Sequence, residues 1–375
     1  MAGVYIHIPF CRQKCYYCDF YKTINTGLTD RFISVLQKEI KLRKNYLEGE
    51  HVETIYWGGG TPSVLTEEQI NKILSFIYAE FEVIPQAEIT FEANPDDLDF
   101  EYLKSLKRTG INRLSVGIQA FQNQHLEKMN RRHNQEQAII SVKNAANAGF
   151  SNISVDLIYG LPGLTRQQWS ESLERVFSLP AQHLSAYHLT YHEGTPFYTW
   201  LKKGTLKELD ETESIEQFNS LAEGAEKAGF EQYEISNFAR NGMYSKHNSA
   251  YWTGKKYLGL GPSAHSFNGE SRQWNFAHIE SYLKTFESKS PFFEVENLTE
   301  NEKFNEYILT SLRTKWGVST SYIEENFGKE KVSFFLATIQ KYHLTGKVKQ
   351  QNDIFTLTHE GVFISDDILA NLMII

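Results

Sequence analysis

Val4-Tyr5-Ile6-His7-Ile8-Pro9-Phe10-Cys11-Arg12-Gln13-Lys14-Cys15-Tyr16-Tyr17-Cys18 joins a strand-like run to all three cysteines of a 375-residue chain. The spacing is C-x3-C-x2-C. Soft thiolates grouped this closely select zinc or an iron–sulfur cluster. Three thiolates are one short of a closed four-coordinate site. In a cubane iron cluster, one iron would keep no protein ligand and could bind a small molecule. A zinc site completed by a distant histidine is the main alternative. Three cysteines cannot all pair, and no secretory leader is expected before them, so a disulfide framework does not fit.

Outward from this stretch, short β-rich runs alternate with amphipathic helical patterns. The predicted strands are 4–8, 54–57, 88–93, 113–118, 154–159 and 183–191. Helical patterns fall between them, as at Leu36, Ile40 and Leu47, or Ile70, Ile73, Leu74 and Ile77. Repeated βα units imply a parallel sheet with helices outside. Six units are too few for an eight-stranded closed barrel. The expectation is a partial, open (β/α)6 barrel of the TIM type, with a doubly wound sheet as the alternative. In either fold the site lies at the C-terminal ends of the strands. The cysteines, Gly58-Gly59-Gly60-Thr61-Pro62, Glu92-Ala93-Asn94-Pro95, Gly117-Ile118-Gln119 and Asp156 with Gly160-Leu161-Pro162-Gly163 all fall there.

Three segments are expected: a barrel over 1–233, a connecting segment over 234–295 and a C-terminal α+β module over 296–375. Residues 230–290 show little periodicity. Beyond Thr299 come three helical patterns and a hairpin around Asn352-Asp353, then a final helix near 361–372. This order suggests a winged-helix-like module. It carries no marked basic stripe, so a structural or docking role fits it better than DNA binding.

Composition narrows the function classes. Hydrophobic content of 41% and charged content of 22% are those of an ordinary globular chain. A net charge of -8 argues against a nucleic-acid partner. No apolar run is long enough to span a bilayer. Free thiolates at cluster spacing need a reducing compartment. The expected location is cytoplasmic, extending to a peripheral one at the inner face of the membrane. Aromatic content of 14% suits a flat aromatic ligand as well as a well-filled core.

The cysteine loop beside a (β/α)6 pattern resembles the radical S-adenosylmethionine (SAM) superfamily. That resemblance implies a 4Fe-4S cluster on Cys11, Cys15 and Cys18, with S-adenosylmethionine chelated at the open iron. The closer resemblance is to the oxygen-independent coproporphyrinogen III oxidases and their relatives, the HemW-type haem chaperones. It rests on Tyr5–Phe10, Phe91–Pro95, Ser115–Gln119 and Asp156–Pro162, and it runs over nearly the whole chain. It implies that Tyr5, Tyr17, Gly59, Gly60, Thr61, Glu92, Gln119, Arg131 and Asp156 line the S-adenosylmethionine site. The residue types agree. Glu92 and Asp156 suit an ammonium or ribose hydroxyls, and Arg131 suits a carboxylate. Each could equally serve a structural ion pair.

Two departures separate the chain from the oxidases. Phe20 stands where they carry a fourth cysteine, and only ten residues precede Cys11 where they carry a longer extension. Lys246-His247-Asn248-Ser249-Ala250-Tyr251-Trp252 resembles the H-N-x-x-Y-W haem signature of the chaperones. This implies haem binding through His247, Asn248, Tyr251 and Trp252. Histidine is a common axial ligand to haem iron, and the chain has 12 histidines. His265 is a second candidate ligand, while His7 and His188 are expected to be structural or site-lining.

The resulting expectation is a haem chaperone that delivers haem to respiratory membrane proteins, with dimerisation left open. Its alternatives are the oxidase, which decarboxylates coproporphyrinogen III to protoporphyrinogen IX, a radical enzyme on another substrate, and a zinc-stabilised structural protein.

Overall fold

The structure is a computed structural model, and it describes residues 1–288 and 291–374. Strands β1 (Ala2–Ile8), β2 (Val52–Gly59), β3 (Val83–Ala93), β4 (Arg113–Gln119), β5 (Ile153–Tyr159) and β6 (His183–His188) lie side by side in chain order, each parallel to the next. Helices α1 (Thr29–Arg43), α2 (Glu67–Glu80), α3 (Phe100–Arg108), α4 (Asn123–Lys128), α5 (Gln135–Asn147) and α6 (Arg166–Ser178) connect them. The order has no reversal, so the doubly wound alternative falls and the partial barrel stands.

The local chemistry explains the helix starts. Thr66, Asn134 and Thr165 each cap a helix in a reciprocal capping box with Gln69, Gln137 and Gln168. One apolar face of each helix then packs on the sheet. Ile70, Ile73, Leu74 and Ile77 of α2 are all buried, at the spacing that the sequence displays.

After β6 the chain forms α7 (Pro196–Lys202), α8 (Glu211–Lys227), β7 (Glu231–Gln232), β8 (Asn237–Ala239), α9 (Lys246–Trp252), β9 (Tyr257–Leu260), β10 (His265–Phe267), β11 (Ser271–Asn275), α10 (Ile279–Ser288) and β12 (Phe293–Asn297). These strands extend the sheet at both edges. β8 and β7 add beyond β6, while β9 pairs parallel to β1 and leads on to β10, β11 and β12. The 12-stranded sheet ends in β7 and β12 and is open. Residues 230–290, aperiodic in sequence, thus hold five short strands among the described residues; runs of two to five residues are too brief to show alternation. The predicted strand 183–191 stops at His188, where Leu189 N–H turns to the Tyr159 carbonyl at 2.9 Å.

The C-terminal module has its own core, built on Phe304, Ile308, Ile323, Phe335, Ile339, Phe355 and Ile368. Helices α11 (Glu300–Ser311), α12 (Thr320–Phe327) and α13 (Lys329–Leu344) precede a three-stranded antiparallel sheet of β13 (Val318–Ser319), β15 (Ile354–Leu357) and β14 (Val348–Gln351). The hairpin turns at Asn352, whose φ of 56° is the left-handed conformation that asparagine tolerates. The final helix is broken into α14 (His359–Val362) and α15 (Ser365–Leu372). His359 stacks on Phe218 of α8, and Lys315 pairs with Glu231 at 2.7 Å, which fastens the module to the barrel edge.

Candidate active site

The cysteine loop leaves β1 and is anchored on both sides. Gln13 Nε2 donates to the Asn130 carbonyl at 2.9 Å, and Asn130 Nδ2 donates to the Lys14 carbonyl at 2.7 Å. Arg12 reaches the buried Asp97 at 3.4 Å. Lys22 Nζ donates to the Cys18 carbonyl at 2.7 Å and closes the loop's end. Thr61 Oγ1 donates to Cys11 Sγ at 3.2 Å, and Arg131 Nη1 lies 3.5 Å from Cys15 Sγ.

All three thiols line one cavity of about 460 Å³ at the C-terminal ends of the strands. Among the described residues, no group of three or more His, Cys, Asp or Glu side chains converges on a single ion-sized point. Zinc would need its donors about 2.3 Å from one centre. A four-iron cluster binds each thiolate on a different iron, so it needs donors on one wall but further apart. Three free thiols lining one cavity are a donor set of the chemistry that such a cluster takes. Without a metal, burial pushes the Cys11 thiol up to about 11 and also raises Cys18. Metal coordination would remove these protons.

The glycine loop after β2 is pressed against the start of the cysteine loop. Gly60 N–H donates to the Ile8 carbonyl and Thr61 N–H to the Phe10 carbonyl, both at 2.8 Å. A Cβ on Gly60 would stand 2.7 Å from the Ile8 oxygen. Gly59 has φ +100°, and a Cβ there would strike the His7 ring at 2.6 Å. Both positions need glycine.

Charged groups line the inner walls. Tyr56 hydroxyl donates to Glu92 Oε1 at 2.8 Å. Burial, reinforced by the nearby Asp156, raises the Glu92 carboxyl to about 7 despite the Tyr56 hydrogen bond. Asp156 accepts from Ser115 Oγ at 3.0 Å, and burial raises it too. Arg131 is tied to Asn94 Oδ1 at 2.8 Å and to the Gly117 carbonyl at 2.6 Å. Its Nε has no partner among the described residues. Gln119 sits at an irregularity in the β4–β5 register with φ 69°, a strained conformation of the kind that gathers at functional sites.

Of the residues singled out in the sequence, the three cysteines, Tyr17, Gly59, Gly60, Thr61, Glu92, Gln119, Arg131, Asp156, His188 and Asn248 line this cavity. Tyr5 lies behind it, stacked on Tyr56 at 6.1 Å. His247, Tyr251 and Trp252 do not line it. Helix α9 plugs the barrel below the Glu92 layer: Glu88 accepts from the Lys246 and His247 N–H groups. The His247 ring is 1% exposed and stacks on Tyr56 at 5.0 Å. Its Nδ1 pairs with Thr54 Oγ1 at 2.7 Å and its Nε2 with the Tyr251 hydroxyl at 2.8 Å. Burial lowers its pKa to about 3, so the ring is neutral at physiological pH. Arg113, Ser115, Ser185 and Tyr187 also line the cavity and were missed in the sequence. Period-two reading back from Gln119 through Gly117 and Ser115 to Arg113 would have found two of them.

Comparison with known proteins agrees with this arrangement. The Radical SAM superfamily model matches residues 5–176, and the HemN C-terminal domain model matches residues 298–364. The heme chaperone HemW of Bacillus subtilis is 36% identical over 373 residues, covering 99% of this chain and 98% of that protein. HemW of Lactococcus lactis is also 36% identical, over 87% of this chain and 85% of that protein. The solved structure of the Escherichia coli coproporphyrinogen III oxidase HemN, a radical SAM enzyme, matches with a TM-score of 0.86 at 25% identity, over 99% of this chain and 90% of that one. The chain therefore belongs to the radical SAM superfamily, within the family that unites HemW heme chaperones and HemN.

Proposed function

We propose that this protein is a haem chaperone that binds a 4Fe-4S cluster, S-adenosylmethionine and haem, and delivers haem to respiratory membrane proteins. The observation that carries the reading is the likeness to HemW of Bacillus subtilis, 36% identity over 99% of the chain. Phe20 adds weight. It is 65% exposed at the cavity wall, where the oxidases resembled in sequence carry a further cysteine. A fourth cysteine could serve coproporphyrinogen chemistry; a phenyl ring cannot ligate or transfer a proton.

In this reading Cys11, Cys15 and Cys18 hold the cluster, which supplies an open iron and an electron source when bound. The chain's own residues do the rest. Gly59, Gly60 and Thr61 bring the backbone close to the ligand. Glu92 and Asp156 receive an ammonium or ribose hydroxyls. Arg131 and Gln119 orient a carboxylate. Tyr5 supports Tyr56, and Tyr17 closes the cluster side. Asn248 reaches the cavity from the haem-signature helix and links that segment to the cofactor site. The assigned divisions are a barrel over 1–233, a haem-signature segment over 234–295 and a docking module over 296–375. The protein works in the cytoplasm or against the inner face of the membrane. Among the described residues no helix is long and apolar enough to cross a membrane.

A second reading, coproporphyrinogen III oxidation, is favoured by the TM-score of 0.86 to HemN. One preparation tests both. Anaerobically reconstituted protein is titrated with haem and then assayed for coproporphyrinogen consumption. Stoichiometric haem binding without turnover supports the chaperone; turnover without haem binding replaces it with the oxidase.

A further inference from the structure

Strand β5 turns Ser154 and Asp156 to the same side, since residues two apart share one face of a strand. His183 of β6 stands opposite Ser154 in the parallel register. These residues begin a file of polar groups that leads away from the cofactor cavity. Asp156 lines the cavity. Ser154 Oγ lies 3.4 Å from Asp156 Oδ1 and 2.8 Å from His183 Nδ1. His183 Nε2 lies 2.7 Å from the Tyr233 hydroxyl, and Ser245 N–H donates to that same oxygen at 3.3 Å. Ser154, His183, Tyr233 and Ser245 are fully buried, and none of them lines the cavity.

The far end fixes the direction of every bond in the file. A backbone N–H can only donate. The Tyr233 oxygen accepts from it, and the phenolic proton goes to His183 Nε2. His183 then carries its own proton on Nδ1 and donates it to Ser154. The Ser154 hydroxyl, having accepted that bond, gives its proton to Asp156. Each donor thus points the same way, toward a carboxylate on the cavity wall. A histidine that served packing alone would be satisfied by Ser154 and Tyr233 and would need no carboxylate beyond them. The direction requires a neutral imidazole. Burial, followed by Arg113, pushes the His183 pKa well below the usual histidine range.

Both ends are anchored. Tyr233 packs ring to ring on Tyr244 at 4.7 Å and on Trp316 at 6.2 Å, and its carbonyl accepts from Lys315 N–H at 3.0 Å. Ser245 caps α9 by accepting from Asn248 N–H at 3.3 Å. At the cavity end, Ser115 also donates to Asp156, at 3.0 Å. The charged and titratable groups that face Asp156 are Tyr56 of β2, Glu92 of β3, Arg113 of β4 and Tyr187 of β6. Burial raises the Asp156 carboxyl, while Ser115, Ser185, Arg113 and Ser154 oppose that rise.

We infer that His183 and Tyr233 are positioning residues of the cofactor site: through Ser154 they hold Asp156 as an oriented carboxylate that receives the ammonium or ribose hydroxyls of S-adenosylmethionine. The inference rests on the S-adenosylmethionine reading of the cavity and deepens it.

The test is calorimetric titration of S-adenosylmethionine into the full, anaerobic, cluster-reconstituted chain at pH 6 and pH 8.5. Wild type is compared with Ser154→Ala, His183→Leu, His183→Asn and Tyr233→Phe. Circular dichroism and iron content check that each variant is folded and loaded. Loss of a donor raises the pKa of a carboxylate. A chain without the file therefore protonates Asp156 at a pH where wild type keeps it charged. Glu92 and the ligand's own groups titrate alike in all the chains compared. The expected result for Ser154→Ala and His183→Leu is a Kd about tenfold weaker than wild type at pH 6, the order of a lost hydrogen bond to a charged group. At pH 8.5 both return to within about twofold of wild type, because Asp156 is then ionised in every chain. Tyr233→Phe shows the same pH dependence with a smaller loss. His183→Asn, whose amide replaces the Nδ1 donor, recovers most of the affinity at pH 6. A loss of the same size at both pH values overturns the inference and marks the file as packing. Wild-type affinity of Ser154→Ala at pH 6 also overturns it and leaves the cofactor reading in place. Should His183→Leu not fold, Ser154→Ala carries the comparison, since it removes a single hydroxyl. If wild type itself binds no S-adenosylmethionine, both fall.

Discussion

Replacing Glu92 with glutamine tests whether the cofactor cavity is strained for ligand binding. The Glu92 carboxyl is raised from 4.5 to about 7, chiefly by burial and then by Asp156. A raised carboxyl favours its neutral form in the folded state. Its contribution to stability is therefore fully present below pH 4.5 and is lost as pH rises through 7. That interval corresponds to about 3 kcal/mol. Glu92 is half-buried and faces the cavity, so solvent makes this an upper limit. Glutamine keeps the shape and still accepts from the Tyr56 hydroxyl, but it cannot ionise. For a barrel of this size, about 3 kcal/mol is about 5 °C in melting temperature. The assay is thermal unfolding of the reduced, cofactor-free protein at pH 5 and pH 8. Glu92→Gln melts higher than wild type at pH 8 and within about 1 °C of it at pH 5, since both side chains are then mostly neutral. The same variant binds S-adenosylmethionine more weakly at pH 8, because the ammonium loses its counter-charge. A variant that melts lower than wild type at pH 8 would refute the reasoning. It would mean that the ionised carboxylate is stabilised by its surroundings and is a structural group.

Three further outcomes are expected. Gly60→Ala drives a methyl group into the Ile8 and Phe10 carbonyl oxygens, 2.7 and 2.8 Å away; it should cost about 1–3 kcal/mol in urea unfolding and lower the iron content after reconstitution. Glu39→Ala leaves Gly261 N–H, the Asn275 amide and the Tyr282 hydroxyl without their shared acceptor. It should destabilise the protein by about 3–5 kcal/mol, read by denaturant unfolding. Serine at Cys11, Cys15 or Cys18 should bring iron and labile sulfide to near background with an unchanged far-ultraviolet circular dichroism spectrum. Zinc retained in place of iron by the wild-type protein after anaerobic purification would contradict the cluster assignment.

The barrel was legible in the sequence because its elements are long. Strands such as Glu88–Ala93 and helices such as α2 repeat their apolar spacing often enough to be recognised. The loops at the strand ends were legible because their chemistry is unusual: thiolates at fixed spacing, and glycines where no Cβ fits. The edge strands between Glu231 and Asn297 were not, since each is only two to five residues long and pairs with distant partners. Arg113 was overlooked because its significance depends on which face of β4 turns inward. His247 marks another limit. The sequence shows a histidine among aromatic residues, but only the fold reveals that Thr54 and Tyr251 hold both of its ring nitrogens.

The most direct test of the account is transfer. Protein reconstituted with cluster and haem is mixed anaerobically with membranes carrying a haem-depleted respiratory oxidase, and the haem is followed by its absorption spectrum. The account predicts that haem leaves this protein and restores the oxidase spectrum. Haem that stays bound to the protein, beside active consumption of added coproporphyrinogen, would contradict it and identify an oxidase instead.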